Sequence, residues 1–278
     1  MLTRRKFLEN TLKGIVLIGA GNTLQSFAAP GFTLPAKDKV ALRFALTSDG
    51  HFGEAKTTWV ENHQRMTGWL NKEKKGRGLH YAFINGDIFH NNPALLPEVK
   101  STWDQLKMPY AVSHGNHDMI PEDDWEKTWG TRWHHVVEQG DAAFLVLNTA
   151  DVTGKYICPD LEWTRAKLQQ YRDKKHLFVI MHITPVKWTK HGIDCPELTD
   201  MFSAQPNLRA IFHGHDHAED GMKEKNGKHY FFDGHLGGSW GTPYHGYRVV
   251  EVLTSGKILC YQVNPAVKEP VNQNVLPA

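Results

Sequence analysis

Cysteine is scarce in this chain. Cys158, Cys195 and Cys260 are the three among 278 residues, an odd number that excludes a complete disulfide framework. None has the spacing of a zinc finger or a dithiol redox motif. All three are expected to be buried free thiols, and a Cys158–Cys195 bridge is left open only for an oxidising compartment. Clustered positive charge is also lacking. The formal net charge is +2, and Arg4, Arg5, Lys6 and Lys13 fall in the first 28 residues against Glu9. Beyond them, 28 basic side chains face 29 acidic ones with no basic block. That argues against nucleic acid as a partner, because phosphate-backbone affinity comes from clustered Lys and Arg. There is no internal repeat and no low-complexity tract. After residue 28 no apolar run approaches the roughly 20 residues that span a bilayer.

Residues 1–28 read as an export signal. Thr3-Arg4-Arg5-Lys6-Phe7-Leu8 resembles the twin-arginine motif. The stretch from Leu12 to Ala20 is apolar but short, and Ser26-Phe27-Ala28 offers small residues for cleavage after Ala28. This reading makes the export machinery a partner and the location periplasmic or otherwise exported. Residues 29–39, with Pro and Gly, read as a linker, and residues 40–278 as one domain.

Histidine, by contrast, is abundant, with 17 residues. Its placement matters more than its number. Apolar runs that read as buried strands end in Asp49-Gly50-His51, in Gly86-Asp87, in Gly115-Asn116-His117-Asp118, in His182 and in Gly214-His215-Asp216-His217. Open α/β sheets collect ligand sites at the carboxyl ends of their strands. Asp and His one residue apart converge if the backbone there is extended. The Asn116 oxygen is a plausible hard ligand, one carboxylate at Asp87 can bridge two cations, and alternating imidazoles at His215 and His217 can reach neighbouring ions. His117 faces away from Asn116 and suits a proton donor, with Asp118 fixing its tautomer. Taken singly, each cluster also fits a polar turn or a packed histidine. Together they put Asp, Asn and His on one rim in one order, as a two-metal hydrolase requires. Strands and helices alternate up to about residue 217, and the last third is β-rich. Two packed sheets with helices outside accommodate both halves.

The order Asp-x-His, Gly-Asp, Gly-Asn-His-Asp, lone His and Gly-His-x-His resembles the calcineurin-like metallophosphoesterase superfamily. The resemblance implies an α/β four-layer αββα sandwich of two mixed sheets flanked by helices. It also implies two divalent ions of Mn, Fe, Zn, Co or Ni. Asp49, His51 and His217 would hold the first, Asn116, His182 and His215 the second, and Asp87 would bridge them. His117 and Asp118 take the catalytic positions, His117 contacting phosphate and assisting the leaving group. Purple acid phosphatases differ in having Gly at the position of His51 and a ligating Tyr at that of His90. Protein Ser/Thr phosphatases follow Gly-Asp with Asp-Arg, where this chain has Ile88-Phe89-His90-Asn91. The pattern is closest to the bacterial cyclic-nucleotide-phosphodiesterase-like branch.

The expected activity is hydrolysis of a small phosphate ester, a phosphodiester or a phosphomonoester. Alternatives are a phospholipid- or nucleic-acid-directed phosphodiesterase and a non-catalytic metal-binding module. His90 and Asn91, just past Asp87, and Trp188 and His191, after His182, are candidate substrate contacts, as is an aromatic in the loop formed by Gly237-Gly238-Ser239-Trp240-Gly241 and Tyr244-His245. His213 is expected to pack under the rim.

Overall fold

The computed structural model describes residues 38–267 and 269–278. The export-signal reading of residues 1–28 and most of the linker lie outside them. Among the described residues twelve strands form: β1 (Val40–Thr47), β2 (Tyr81–Asn85), β3 (Tyr110–Ser113), β4 (His135–Gln139), β5 (Ala142–Leu147), β6 (His176–Met181), β7 (Leu208–His213), β8 (Met222–Lys225), β9 (Lys228–Phe232), β10 (Tyr247–Leu253), β11 (Ile258–Val263) and β12 (Gln273–Leu276). Between them run α1 (Trp59–Arg77), α2 (Leu96–Trp103), α3 (Glu122–Trp129), α4 (Leu161–Gln170) and α5 (Pro196–Ser203). The strands make two six-stranded sheets, ordered β12-β11-β10-β1-β2-β3 and β4-β5-β6-β7-β9-β8. Both are mixed. Strands β1, β2 and β3 are parallel while β10 runs against β1; β5, β6, β7 and β9 are parallel while β4 and β8 run against their neighbours.

Alternate residues of each central strand enter different cores. Phe44 and Leu46 of β1, Phe83 of β2, Phe144 of β5, Phe178 of β6 and Phe212 of β7 fill the space between the sheets. Phe44 meets Phe144 and Phe178 edge-on at 4.9 and 5.2 Å, a favoured aromatic geometry. On the other face of the first sheet, Ala45 and Ile84 pack with Met66 and Leu70 of α1 and Trp103 of α2. On the other face of the second, Leu145 and Val179 pack with Leu168 of α4 and Phe202 of α5. The layers therefore run helix, sheet, sheet, helix, as expected. Strands buried on both faces read as continuous apolar runs, which is why they were visible in the sequence.

Asp160 caps α4, accepting from the Trp163 N–H at 2.9 Å. Three edge strands, β4, β8 and β12, and helix α5 were not anticipated, because each is short and the strands are only partly buried. The β8–β9 hairpin did carry a signal. Asn226-Gly227 joins the strands with φ of 52° and 72°, the two positive values that a tight I′ turn requires. No helix among the described residues is long and apolar enough to cross a membrane.

The cysteine expectation needs correction. Cys158 and Cys195 form a disulfide across a sequence separation of 37, and only Cys260 is a buried free thiol. Two loops that are distant in sequence meet in space, and nothing in the spacing reveals that. A bridge closing a loop of this length restricts the unfolded chain. Reduction, or Cys158→Ser, should lower unfolding free energy in a denaturant titration by about 3–4 kcal/mol; an unchanged midpoint would contradict it.

Candidate metal centre

The ends of β1, β2 and β3 in one sheet and of β6 and β7 in the other meet at one rim. The loops interlock through their backbones. Asp49 N–H donates to Gly86 O at 3.1 Å, His51 N–H to Asp87 O at 2.9 Å, and Gly214 N–H to His182 O at 3.0 Å. The extended backbone expected at Asp49–His51 is not observed. Asp49 and His51 have φ of 57° and 45°, and Asp87 and His215 have 49° and 64°. These are left-handed values that non-glycine residues seldom adopt, and such strain persists where the surroundings over-determine it. Convergence thus comes from sharp turns just past the strands. Two glycines make room for it: a Cβ at Gly115 would strike the backbone N and the carboxylate of Asp87, and one at Gly86 would strike the His182 ring.

The turns bring two groups of donor atoms together: Asp49, His51 and His217, and Asp87, His182 and His215, the ligand atoms within each group lying within 4.8 Å of one another. All six residues are buried. Asp49 Oδ1 is 3.2 Å from His217 Nε2. Asp87 Oδ2 lies between the groups, 3.6 Å from His51 Nε2 and 3.3 Å from His182 Nε2. Backbone donors fix both carboxylates: His215 N–H reaches Asp49 Oδ1 and Oδ2 at 3.0 and 2.9 Å, and His117 N–H reaches Asp87 Oδ1 at 2.8 Å. His182 Nδ1–H donates to Asn85 O at 2.7 Å and His217 Nδ1–H to Trp240 O at 3.0 Å, turning each Nε2 lone pair inward. His217 is also clamped between Trp240, stacked at 4.3 Å, and His235, stacked at 5.0 Å.

Three buried polar atoms here, Asn116 Oδ1, His182 Nε2 and His215 Nε2, have no hydrogen-bond partner. Buried polar atoms are normally satisfied. A bare amide oxygen and two bare imidazole nitrogens, the imidazoles grouped with the buried Asp87 carboxylate, are donors suited to a divalent cation. The residues present therefore fit a pair of metal ions.

Other expected residues fall differently. His117 lines the cleft, but Asp118 does not touch its side chain. The Asp118 carboxylate accepts from Ile88, Phe89 and Gly115 N–H at 2.8, 3.0 and 2.9 Å, tying the β2 and β3 loops together. Asn91 is the partner of His117, with its Oδ1 2.8 Å from His117 Nδ1. His90 and Asn91 do not line the cleft; each instead contacts a histidine that does. Trp188 packs edge-on against Tyr230 and Phe232 at 5.1 and 6.3 Å and is not a cleft residue. His191 is one. His213 is buried and stacks on Tyr230, as expected.

The cleft measures about 550 Å³, and Tyr156, Thr189, Lys190, Asp216 and Trp240 complete its wall. Trp240 lies in the glycine-rich loop noted in the sequence, whereas Tyr156 gave no signal. The Cys158–Cys195 disulfide joins the loop of Tyr156 to that of Lys190 and His191.

Residues 42–219 match the family model of the calcineurin-like phosphoesterases. The chain belongs to that family and is a metal-dependent phosphoesterase. Among solved structures, a dimetal phosphatase from Danio rerio superposes with a TM-score of 0.68 at 10% identity, over 86% of this chain and 99% of the other. Purple acid phosphatase PPD1 from yellow lupin (Lupinus luteus) gives 0.61 at 12% identity, over 85% of this chain and 53% of the other. At these identities the likeness is one of fold. No curated protein matches the sequence.

Protons and cations compete for this site. Burial pushes His51 and His215 down to about 3, keeping them neutral. Burial also opposes charge on His182, but the Asp87 and Asp49 carboxylates outweigh it and raise His182 to about 10; His217 is raised in the same way by Asp49. A cation taking the Nε2 lone pairs must displace those protons, which are held until the pH passes the raised values. Mn²⁺ affinity should therefore strengthen as pH rises from 6 towards 9, with roughly one to two protons released per chain filled. Calorimetry in buffers of different ionisation enthalpy measures this, and pH-independent binding without proton release would contradict it.

Proposed function

We propose that this protein is an exported dimetal hydrolase of small phosphate esters, acting on a phosphodiester or a phosphomonoester. The observation that carries the reading is the trio of unpartnered buried atoms on Asn116, His182 and His215, the two imidazoles of which group with Asp87. In this reading Asp49, His51 and His217 hold one ion, Asn116, His182 and His215 hold the other, and Asp87 reaches both. A bound ion pair supplies an activated water and neutralises charge on the phosphoryl oxygens.

The protein's own groups do the rest. Backbone N–H groups hold both carboxylates before substrate arrives, so little reorganisation accompanies the reaction. Asn91 Oδ1 takes the Nδ1–H of His117, leaving Nε2 of that cleft-lining ring to act on substrate. In its protonated form Nε2 donates to a phosphoryl or leaving oxygen. Exposed Lys190 adds a positive charge at the rim, and Tyr156 and Trp240 give the cleft apolar walls. A cleft of about 550 Å³ is of ordinary size for a small-molecule site. The Cys158–Cys195 disulfide supports an oxidising compartment, in agreement with the export pattern of residues 1–28.

Elemental analysis paired with release assays on chromogenic mono- and diesters tests this reading: two metal ions per chain and turnover of at least one ester class are expected. Stoichiometric metal without turnover of either class would favour a binding module. His117→Ala should cut kcat by about 10²–10⁴-fold with metal content intact, and loss of metal would contradict the role given to His117.

A further inference from the structure

An imidazole that gives its Nε2 lone pair to a cation must carry its proton on Nδ1, and that proton needs an acceptor. His182 and His217 use backbone carbonyls, Asn85 O at 2.7 Å and Trp240 O at 3.0 Å. A carbonyl can only accept, so the backbone dictates both tautomers. His51 is different. Its Nδ1 faces another imidazole nitrogen, His90 Nδ1, at 3.0 Å. We propose that His90 is the positioning residue of the metal centre: its Nδ1 accepts the His51 Nδ1–H and thereby holds the His51 Nε2 lone pair towards the first cation. The proposal rests on the dimetal reading above.

The surroundings of His90 build it for this task. Residues Phe52 and Phe89 form a parallel bridge past the ends of β1 and β2, and His90 N–H donates to Phe52 O at 3.0 Å. The residue after His51 is thus pinned beside the residue before His90. The His90 ring lies nearly parallel to His117, 4.6 Å away with 14° between planes, and tilts against His51 at 5.2 Å. Both its position and its plane are therefore set by the fold.

The opposite tautomer has a visible consequence. If His90 donated, the His51 proton would move to Nε2, which lies 3.0 Å from His217 Nε2, and one proton would then occupy the space where two lone pairs converge on a cation. Acceptance by His90 removes that proton. It also places the His90 proton on its own Nε2, so His90 serves the metal centre rather than the substrate. His51, His90 and His117 also lie close enough to hold a cation among themselves. With an ion already on His51 Nε2, that arrangement would require both nitrogens of His51 to be bare at once.

Two substitutions separate acceptance from packing. His90→Phe keeps the ring volume and the stack on His117 but has no acceptor. His90→Asn is smaller but carries an amide oxygen near the Nδ1 position. Full-length protein is loaded with Mn²⁺, dialysed, and assayed for metal per chain and by Mn²⁺ titration. Wild type should retain two ions. His90→Phe should retain about one, with the weakened ion bound about 10- to 100-fold less tightly, and His90→Asn should recover towards wild type. Two tight ions in His90→Phe, or a larger loss in Asn than in Phe, would overturn the proposal while leaving the dimetal reading intact. Fewer than two ions in wild type would overturn both, and three would reassign His90 as a ligand. Imidazole ¹⁵N shifts of the loaded wild-type protein need no variant: a proton on His90 Nε2 is expected, and one on Nδ1 would overturn the proposal.

Discussion

Asp49 and Asp87 are two carboxylates buried side by side, and the rest of the site is arranged around the cost of keeping them there. A buried ion costs several kcal/mol unless it is paired and hydrogen-bonded. Backbone N–H groups from His215 and His117 supply part of the compensation. The remainder must come from positive charge, either protons on His182 and His217 or divalent cations in their place. The same geometry therefore makes the site basic towards protons and strong towards metals. Left-handed backbone at Asp49, His51, Asp87 and His215 is the local strain that brings these charges together, and the two packed sheets hold it.

Control of imidazole orientation extends outward from that centre. Carbonyls of Asn85 and Trp240 hold two ligand rings, stacking by Trp240 and His235 clamps one of them, and Asn91 holds His117. Asp118 acts one step further back. It accepts three backbone N–H groups from the loops that present Asp87 and Asn116, and so fixes their separation. Burial and the nearby Asp87 charge push Asp118 upward, whereas three N–H donors favour its ionised form. An uncharged acid would offer a proton where three donors already point, so the three N–H groups hold Asp118 as the carboxylate.

The central strands were legible because strands buried on both faces cannot alternate polar and apolar residues, and their polar ends then stand out as Asp, Asn and His. The layer order followed from βα alternation giving way to β-rich sequence. What was not legible depends on contacts between distant loops. Tyr156 in the cleft wall and the Asn91–His117 bond join segments whose separation in sequence says nothing about their meeting, and the Cys158–Cys195 bridge was open in the sequence but not required by it. Trp188 misled for a related reason: it follows His182 closely, but the chain turns and packs it, half-buried, against Tyr230. Adjacency and the family resemblance put Asp118 behind His117, whereas neighbouring side chains in a turn point apart.

Anomalous diffraction from crystals of Mn²⁺-loaded protein tests the central claim most directly. The account predicts two peaks roughly 3.5–4 Å apart, one bounded by Asp49, His51 and His217, the other by Asn116, His182 and His215, with the Asp87 carboxylate touching both. A single peak, or two peaks that leave Asp87 uncoordinated, would contradict it.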